Sequence, residues 1–161
     1  MQIEIRPADS IADAEALSAL DRRIFPPGDC FADLTWWGDC ECFWIIVDGQ
    51  PIGSIALGLD MEFSRSWDED NPSPGSMYLI SVGILPEFQK RSFGSVAMQW
   101  LIHYARSKGF ARISTNCRKG DVGSLRLHKK FGFRVVDEVS DYYRNPVETA
   151  VVMQLILHQQ Q

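Results

Sequence analysis

Tyr78-Leu79-Ile80-Ser81-Val82-Gly83-Ile84-Leu85-Pro86-Glu87-Phe88-Gln89-Lys90-Arg91-Ser92-Phe93-Gly94 is the stretch from which the rest of the chain can be organised. Its first half is almost continuously apolar and β-favouring, as expected of a strand covered on both faces. Pro86 removes a backbone donor and ends that strand. Beyond a short polar loop, Val96, Ala97, Trp100, Leu101, Tyr104 and Ala105 fall on one stripe of an amphipathic helix. Lys108 and Gly109 close the helix with a cation and a permissive residue.

The loop between strand and helix carries the chemistry. Small residues at Ser92 and Gly94 let backbone approach a ligand closely. The first turn of the following helix has unpaired N–H groups aimed at the same point. With the helix dipole and the cations Lys90 and Arg91, this makes an anion site suited to phosphate. It is neither a nucleotide P-loop nor a dinucleotide fingerprint, because Gly-Lys-Ser/Thr and Gly-x-Gly-x-x-Gly are both missing. The spacing Gln89-x-x-Ser92-x-Gly94 resembles the Gln/Arg-x-x-Gly-x-Gly/Ala loop of the GNAT superfamily of acetyl-CoA-dependent N-acetyltransferases. Ser92 stands where that motif has its first glycine.

The 161 residues are expected to form a single N-acetyltransferase domain over 1–161, with an ordinary globular composition of 45% apolar and 23% charged residues. No apolar run reaches about 18 residues and the N-terminus has no signal-peptide layout, so a cytoplasmic protein without membrane contact is expected. Cys30, Cys40, Cys42 and Cys117 then read as free thiols. A zinc site built on Cys30, Cys40 and Cys42 lacks both a second pair at the right spacing and histidines, so no metal is expected. The net charge of −5 conceals an asymmetry: residues 1–80 hold 4 Lys/Arg against 15 Asp/Glu, and residues 81–161 hold 12 against 6. An anionic cofactor on the basic side and a cationic acceptor on the acidic side would suit this division. The overall sign disfavours nucleic acid as a partner.

Taken in order, Ile3-Glu4-Ile5-Arg6 alternates as an edge strand, and Asp9 or Ser10 caps a helix carrying Ile11, Ala14, Leu17 and Leu20. Residues 31–37 fit a second short helix. Cys42–Val47 and Ile52–Leu57 form a hairpin about Asp48-Gly49, a strong turn signal. Residues 58–76 read as a long acidic loop. Ala111–Cys117 is the next strand, placed parallel to the one around Ile80 by a crossover. Asp121 caps a helix through Leu125, Leu127, His128 and Phe131, stopped by Gly132. Phe133–Val136 and Ala150–Leu157 are closing antiparallel strands with Asp141–Pro146 between them, and 158–161 is a frayed tail. This is an α/β fold, a mixed sheet of about seven strands with helices on both faces.

That element order is similar to the GNAT fold, and a second motif agrees. Asp121-Val122-Gly123-Ser124-Leu125-Arg126-Leu127-His128-Lys129-Lys130-Phe131-Gly132-Phe133 resembles the family's Asn-x-x-Ala/Ser-x-x-Leu-Tyr-x-x-x-Gly-Phe helix. Within the superfamily, Phe25-Pro26 and Tyr142-Tyr143 resemble RimI-like protein N-terminal acetyltransferases.

The resemblance implies a set of roles. Gln89, Lys90, Arg91, Ser92, Phe93 and Gly94 would hold the pyrophosphate of acetyl-CoA, the co-substrate, with Asp121 and Ser124 contributing from the second helix. Val82, Gly83 and Ile84 occupy the place of a strand bulge whose backbone N–H meets the thioester carbonyl, and the pantetheine arm would lie between strands that part at Val82 and Asn116. His128 stands where the family has its tyrosine acid. As an imidazolium it could protonate a departing thiolate, whose pKa of roughly 8.5 resembles that of cysteine. The glutamate base of RimI-like enzymes falls at Asn116, which cannot accept a proton, so Glu62, Asp60 or a water held by Ser81 would have to serve. Tyr142 and Tyr143 would line the acceptor cleft together with Glu62. Cys117 reads as a core strand residue rather than a nucleophile.

The function these residues imply is transfer of an acetyl group from acetyl-CoA to a primary amine of a small molecule or a protein N-terminus. The alternative is a catalytically weak acyl-CoA-binding or regulatory module, motivated by the altered tyrosine and glutamate positions; a nucleotide-binding protein is a third reading. The acyl length and a homodimeric state are left open.

Overall fold

A computed structural model describes residues 2–30, 37, 40–58 and 75–157. The elements are β1 (Ile3–Pro7), α1 (Ala14–Ile24), β2 (Glu41–Val47), β3 (Gln50–Gly58), β4 (Ser76–Ile84), α2 (Phe93–Ser107), β5 (Arg112–Arg118), α3 (Val122–Lys130), β6 (Arg134–Tyr143) and β7 (Glu148–Ile156). The seven strands form one mixed sheet in the order β1-β2-β3-β4-β5-β7-β6. Two compact units share these elements. One comprises Met1–Gly58 and Ile80–Ala97, the other Leu59–Leu79 and Met98–Gln161, so β4 and α2 each contribute to both. Of the residues expected as a second short helix only Trp37 is described; of the loop expected over 58–76, Gly58 ends β3 and Ser76 opens β4, Gly75 is a turn residue, and the rest, like the tail at 158–161, lies outside the described residues.

In the first unit β1 is an edge strand, antiparallel to β2 from Ile3↔Val47 to Pro7↔Phe43. The β2–β3 hairpin turns at Asp48 and Gly49, with φ of 49° and 82°. Two successive residues at positive φ define the type I′ turn that matches strand twist, which is why Asp-Gly signals it. The register shifts between Ile45 and Ile46, opposite Pro51, a residue with no N–H for the ladder. Ala14 and Leu17 of α1 pack with Trp37, Cys42 and Ala56, and Ile80 closes onto this cluster. The Trp37 indole donates to Ser18 Oγ at 2.6 Å. The helix expected to start at Asp9 starts later. Asp9 Oδ1 accepts from the N–H groups of Ile11 and Ala12 in a turn ahead of α1, and Ile11 is 82% exposed. A short side chain satisfying adjacent amides favours a turn as readily as a helix start.

In the second unit β5 pairs parallel to β4 from Ser76↔Arg112 to Leu79↔Thr115, where the ladder stops although both strands run on. On its other side β5 pairs antiparallel with β7, and β6 is the outer strand. The sequence marks β6 only as far as Val136. In the structure it continues to Tyr143 and absorbs the tyrosine pair. Asp137, Glu138, Ser140 and Asp141 hide the strand from a hydrophobic pattern, yet an edge strand exposed along nearly its whole length accepts them.

The buried face of α2 is rotated from the expected stripe. Ala97, Met98, Leu101, Ile102 and Ala105 are buried, whereas Val96, Trp100 and Tyr104 are only half-buried. Trp100 and Tyr104 stack on each other with centroids 5.0 Å apart. Apolar residues cover more than half of this helix's circumference, so periodicity alone could not choose which edge meets the core.

Candidate active site

In the first unit, β4 leads through Leu85, whose N–H donates to Ile52 O at 2.8 Å, into a 3₁₀ turn at Pro86–Phe88 and then the loop. Gln89 reaches back, its side-chain Nε2 donating to Ile84 O at 2.9 Å. The expected anion ligand at this position therefore acts as a strut, tying the loop to the strand end with its amide side chain. Lys90 and Ser92 have φ of 60° and 68°. Both lie in the left-handed region, which costs an L-residue about 1–2 kcal/mol and accounts for the glycine that the family motif has at the Ser92 position. Alternating handedness turns successive N–H groups to one side, the geometry of an anion-binding nest. Among the described residues, the amides of Lys90, Arg91, Ser92, Phe93 and Gly94 meet no backbone acceptor. Lys90, Arg91 and Ser92 are exposed, Phe93 is buried and Gly94 half-buried. The Arg91 guanidinium stands 5.5 Å over the Phe88 ring, and Phe88 packs against Phe93 at 6.1 Å.

Gly83 is glycine for a reason the sequence did not supply. A Cβ built there would lie 2.8 Å from the Phe25 ring and 3.0 Å from Ile24, at the end of α1. Close packing of Phe25 thus occupies one side of the strand at the residue expected to bulge. Val82 is half-buried and Ile84 buried beside it.

In the second unit one expected catalytic residue, Asn116, meets one expected acceptor residue, Tyr143. Asn116 Oδ1 accepts from the Tyr78 hydroxyl, and Asn116 Nδ2 donates to the Tyr143 hydroxyl at 2.7 Å. Tyr142 stands edge-on to Tyr143 with centroids 5.0 Å apart. Tyr78 was readable only as a strand residue. Its cross-strand partner is Ser114, and Asn116 lies two positions further along the same face of β5. That register was the missing signal. Burial is the largest influence raising the Tyr78 hydroxyl above its ordinary pKa, so it stays protonated and donates. The Arg118 guanidinium sits 4.6 Å over the Tyr143 ring, donates to Arg144 O and Pro146 O, and pairs with Glu148 at 3.3 Å. These contacts hold the β6–β7 turn against β5.

Helix α3 starts as the sequence implies, Asp121 Oδ1 accepting from Ser124 N at 3.1 Å. Gly132, with φ of 96°, ends it, and Phe133 N donates to His128 O at 3.1 Å. His128 is buried on this helix. Its Nδ1 lies 2.7 Å from Ser124 O, and the ring meets Phe133 edge-on with centroids 5.0 Å apart. Burial, the largest influence, holds its pKa below the ordinary 6.5, against smaller opposing effects of the Ser124 bond and Asp121. Burial thus favours the neutral ring of His128 over the imidazolium. The Cys117 thiol is buried and pushed up to about 11, as a core residue rather than a nucleophile would be. Glu62 and Asp60 lie outside the described residues.

Residues 12–133 match the profile described as "Acetyltransferase (GNAT) family". A segment of 69 residues is 28% identical to the probable N-acetyltransferase san of Drosophila melanogaster, spanning 42% of this chain and only 38% of that protein. The fold superposes on the ribosomal-protein-S18-alanine N-acetyltransferase of Escherichia coli with a TM-score of 0.80 and 15% identity, over 99% of this chain and 97% of the other. It superposes on Arabidopsis thaliana NAA60, solved with a bisubstrate analogue, with a TM-score of 0.79 and 16% identity, over 99% and 100%. No described helix is long and apolar enough to cross a membrane. Because the family profile spans about three quarters of the sequence and includes the loop at Gln89 and the helix at Asp121, the chain belongs to the acetyltransferase (GNAT) family.

Proposed function

We propose that this protein transfers an acetyl group from acetyl-CoA to a primary amine, and that its preferred acceptor is the α-amine of a peptide N-terminus. The observation that carries the reading is the loop at residues 89–94. Five successive amides that meet no backbone acceptor among the described residues, two residues at positive φ and two exposed cations together suit a diphosphate. When bound, acetyl-CoA supplies an activated acyl group. The chain's own residues would then hold and orient. The amides of residues 90–94 with Lys90 and Arg91 take the diphosphate, while Val82, Gly83 and Ile84 offer backbone to the thioester carbonyl. Asp121 and Ser124 shape the start of α3.

The acceptor preference follows from proton chemistry. Asn116 occupies the position where a carboxylate base is implied, and neither it nor a protonated Tyr78 takes a proton at neutral pH. An acceptor that is already neutral needs less help. At pH 7.5 roughly a third of an α-amine of pKa about 7.8 is neutral, against about one part in a thousand for a lysine amine at about 10.4. Tyr143, held by Asn116, and Tyr142, 44% exposed at the end of β6, would meet the peptide.

Thermal unfolding with acetyl-CoA, CoA and ATP tests the first step. A ligand at 100 times its dissociation constant adds about 2.7 kcal/mol to stability. Stabilisation by CoA species alone is expected, followed by thiol release with peptides bearing free N-termini and little with N-acetylated, lysine-containing peptides. Stabilisation by CoA without thiol release from any amine would leave an acyl-CoA-binding module, and a response to ATP alone would overturn the reading.

A further inference from the structure

Past Val139↔Ala150 the β6–β7 ladder loses its regular step. The next cross-strand pair is Tyr143↔Glu148, so Ser140, Asp141 and Tyr142 on β6 stand against Thr149 alone on β7. Asp141 within this bulge has φ of 56°. A bulged strand bends away from its partner and leaves residues unpaired, so the ladder does not by itself fix the tyrosine pair. Arg118, the last residue of β5, reaches across to this end of the hairpin. Its Nη1 donates to Pro146 O at 2.7 Å and its Nη2 to Arg144 O at 2.9 Å. Nη1 also meets Glu148 Oε1 at 3.3 Å, and Glu148 Oε2 accepts from Gly120 N at 2.6 Å. The guanidinium carbon lies 4.6 Å from the centre of the Tyr143 ring. The Arg118 side chain is 12% exposed, so this grip is little screened by solvent. Asn116, two residues earlier on the same face of β5, holds the Tyr143 hydroxyl. Tyr143 is thus held at two points, and Tyr142 rests edge-on against it.

We propose that Arg118 is a positioning residue for the acceptor: by gripping the β6–β7 turn and the Tyr143 ring, it sets where the tyrosine pair meets the peptide. This inference rests on the reading of Tyr142 and Tyr143 as residues that contact the acceptor. Arg118 acts through them, because both of its Nη groups are engaged with the turn and with Glu148. The grip calls for arginine. A lysine could pair with Glu148, but its single nitrogen cannot serve two separate carbonyls while a flat cation lies against a ring. Without the guanidinium, Asn116 still holds the Tyr143 hydroxyl, while the carbonyls of Arg144 and Pro146 lose their donor. The tyrosines are then tethered at one point and must be ordered when the peptide binds, which weakens acceptor binding.

The test compares steady-state transfer to a peptide with a free N-terminus by the full chain, Arg118→Lys, Tyr143→Ala and the double variant. Arg118→Lys should raise the peptide KM roughly tenfold, the effect of having to order one or two side chains on binding. Its kcat should change less, and its KM for acetyl-CoA should stay in place. In the Tyr143→Ala background the same change should have little further effect, because the ring that Arg118 places is gone. Glu148→Gln loosens the grip from its other side and should raise the peptide KM in the same direction. Hydrogen exchange at residues 144–148 reads the grip without turnover and should quicken in Arg118→Lys. An unchanged peptide KM in Arg118→Lys overturns the proposal, and so does an unchanged one in Glu148→Gln should the lysine variant fail to fold. Effects that multiply in the double variant, or a KM for acetyl-CoA that rises in step with that of the peptide, overturn it as well. Exchange that quickens in a protein whose native form acetylates no amine would instead overturn the acetyl-CoA reading, and the acceptor role of Arg118 with it.

Discussion

His128 and Asn116 each occupy a position where proton transfer is implied, and in each the neighbours fix which atoms carry hydrogen. For His128, burial lowers the folded-state pKa below its ordinary 6.5 while the unfolded chain keeps it. The unfolded state therefore binds a proton first as pH falls. The stability that comes from a neutral His128 is fully present above about pH 6.5 and is lost as pH drops through the lower folded value. Urea unfolding from pH 8 to pH 5 should show a steeper loss in the native protein than in His128→Phe; parallel curves would contradict the assignment. For Asn116, substitution by Ala removes both tyrosine hydrogen bonds and should destabilise by about 1–3 kcal/mol. Tyr143→Phe, which loses one of the two, should cost less. Equal losses in the two variants would mean that the Tyr78 bond contributes nothing. That His128 lies on a helix between Asp121 and Gly132 was legible from capping residues alone. Its tautomer was not, because it depends on the distance of one carbonyl oxygen.

At the scale of elements, the strand–loop–helix from β4 to α2 is held by short tethers at the loop and by close packing at Gly83. Gly83→Ala would push a methyl group to 2.8 Å from the Phe25 ring and should cost about 1–3 kcal/mol. Phe25→Leu in the same chain should recover part of that loss, since the two changes share one contact. Additive losses in denaturant unfolding would show that the contact is not the cause. The loop, the hairpin at Asp48-Gly49 and the start of α3 were all legible, because each depends on local φ preferences and capping. The length of β6 was not: its polar residues carry no period, and only pairing with β7 marks them as strand. The face of α2 was likewise decided by what it packs on, not by its own pattern.

At the scale of the molecule, charge is divided along the chain, −11 over residues 1–80 (4 minus 15) and +6 over residues 81–161 (12 minus 6). Lys90 and Arg91 belong to the basic part and are exposed, where salt screens them. Affinity for CoA should therefore fall as salt rises from 50 to about 500 mM. Lys90→Ala with Arg91→Ala should weaken binding roughly tenfold or more at low salt and flatten that dependence. A salt slope unchanged in the double variant would place the diphosphate elsewhere. The seven-stranded mixed sheet matches the fold class expected from element order, and the family profile agrees with the two motifs that suggested it.

The sequence by itself determined the order and type of most elements, the place of the loop between β4 and α2 and the family, because these rest on contacts between residues close in the chain. Tertiary structure alone decided that Tyr78, Asn116 and Tyr143 form one hydrogen-bonded chain, that Phe25 requires glycine at position 83, and that the His128 ring is buried with Nδ1 against Ser124 O. The physical reason is the same in each case. A strand register, a close packing contact and the environment of a buried ring are set by residues distant in sequence, whose placement only the folded chain fixes.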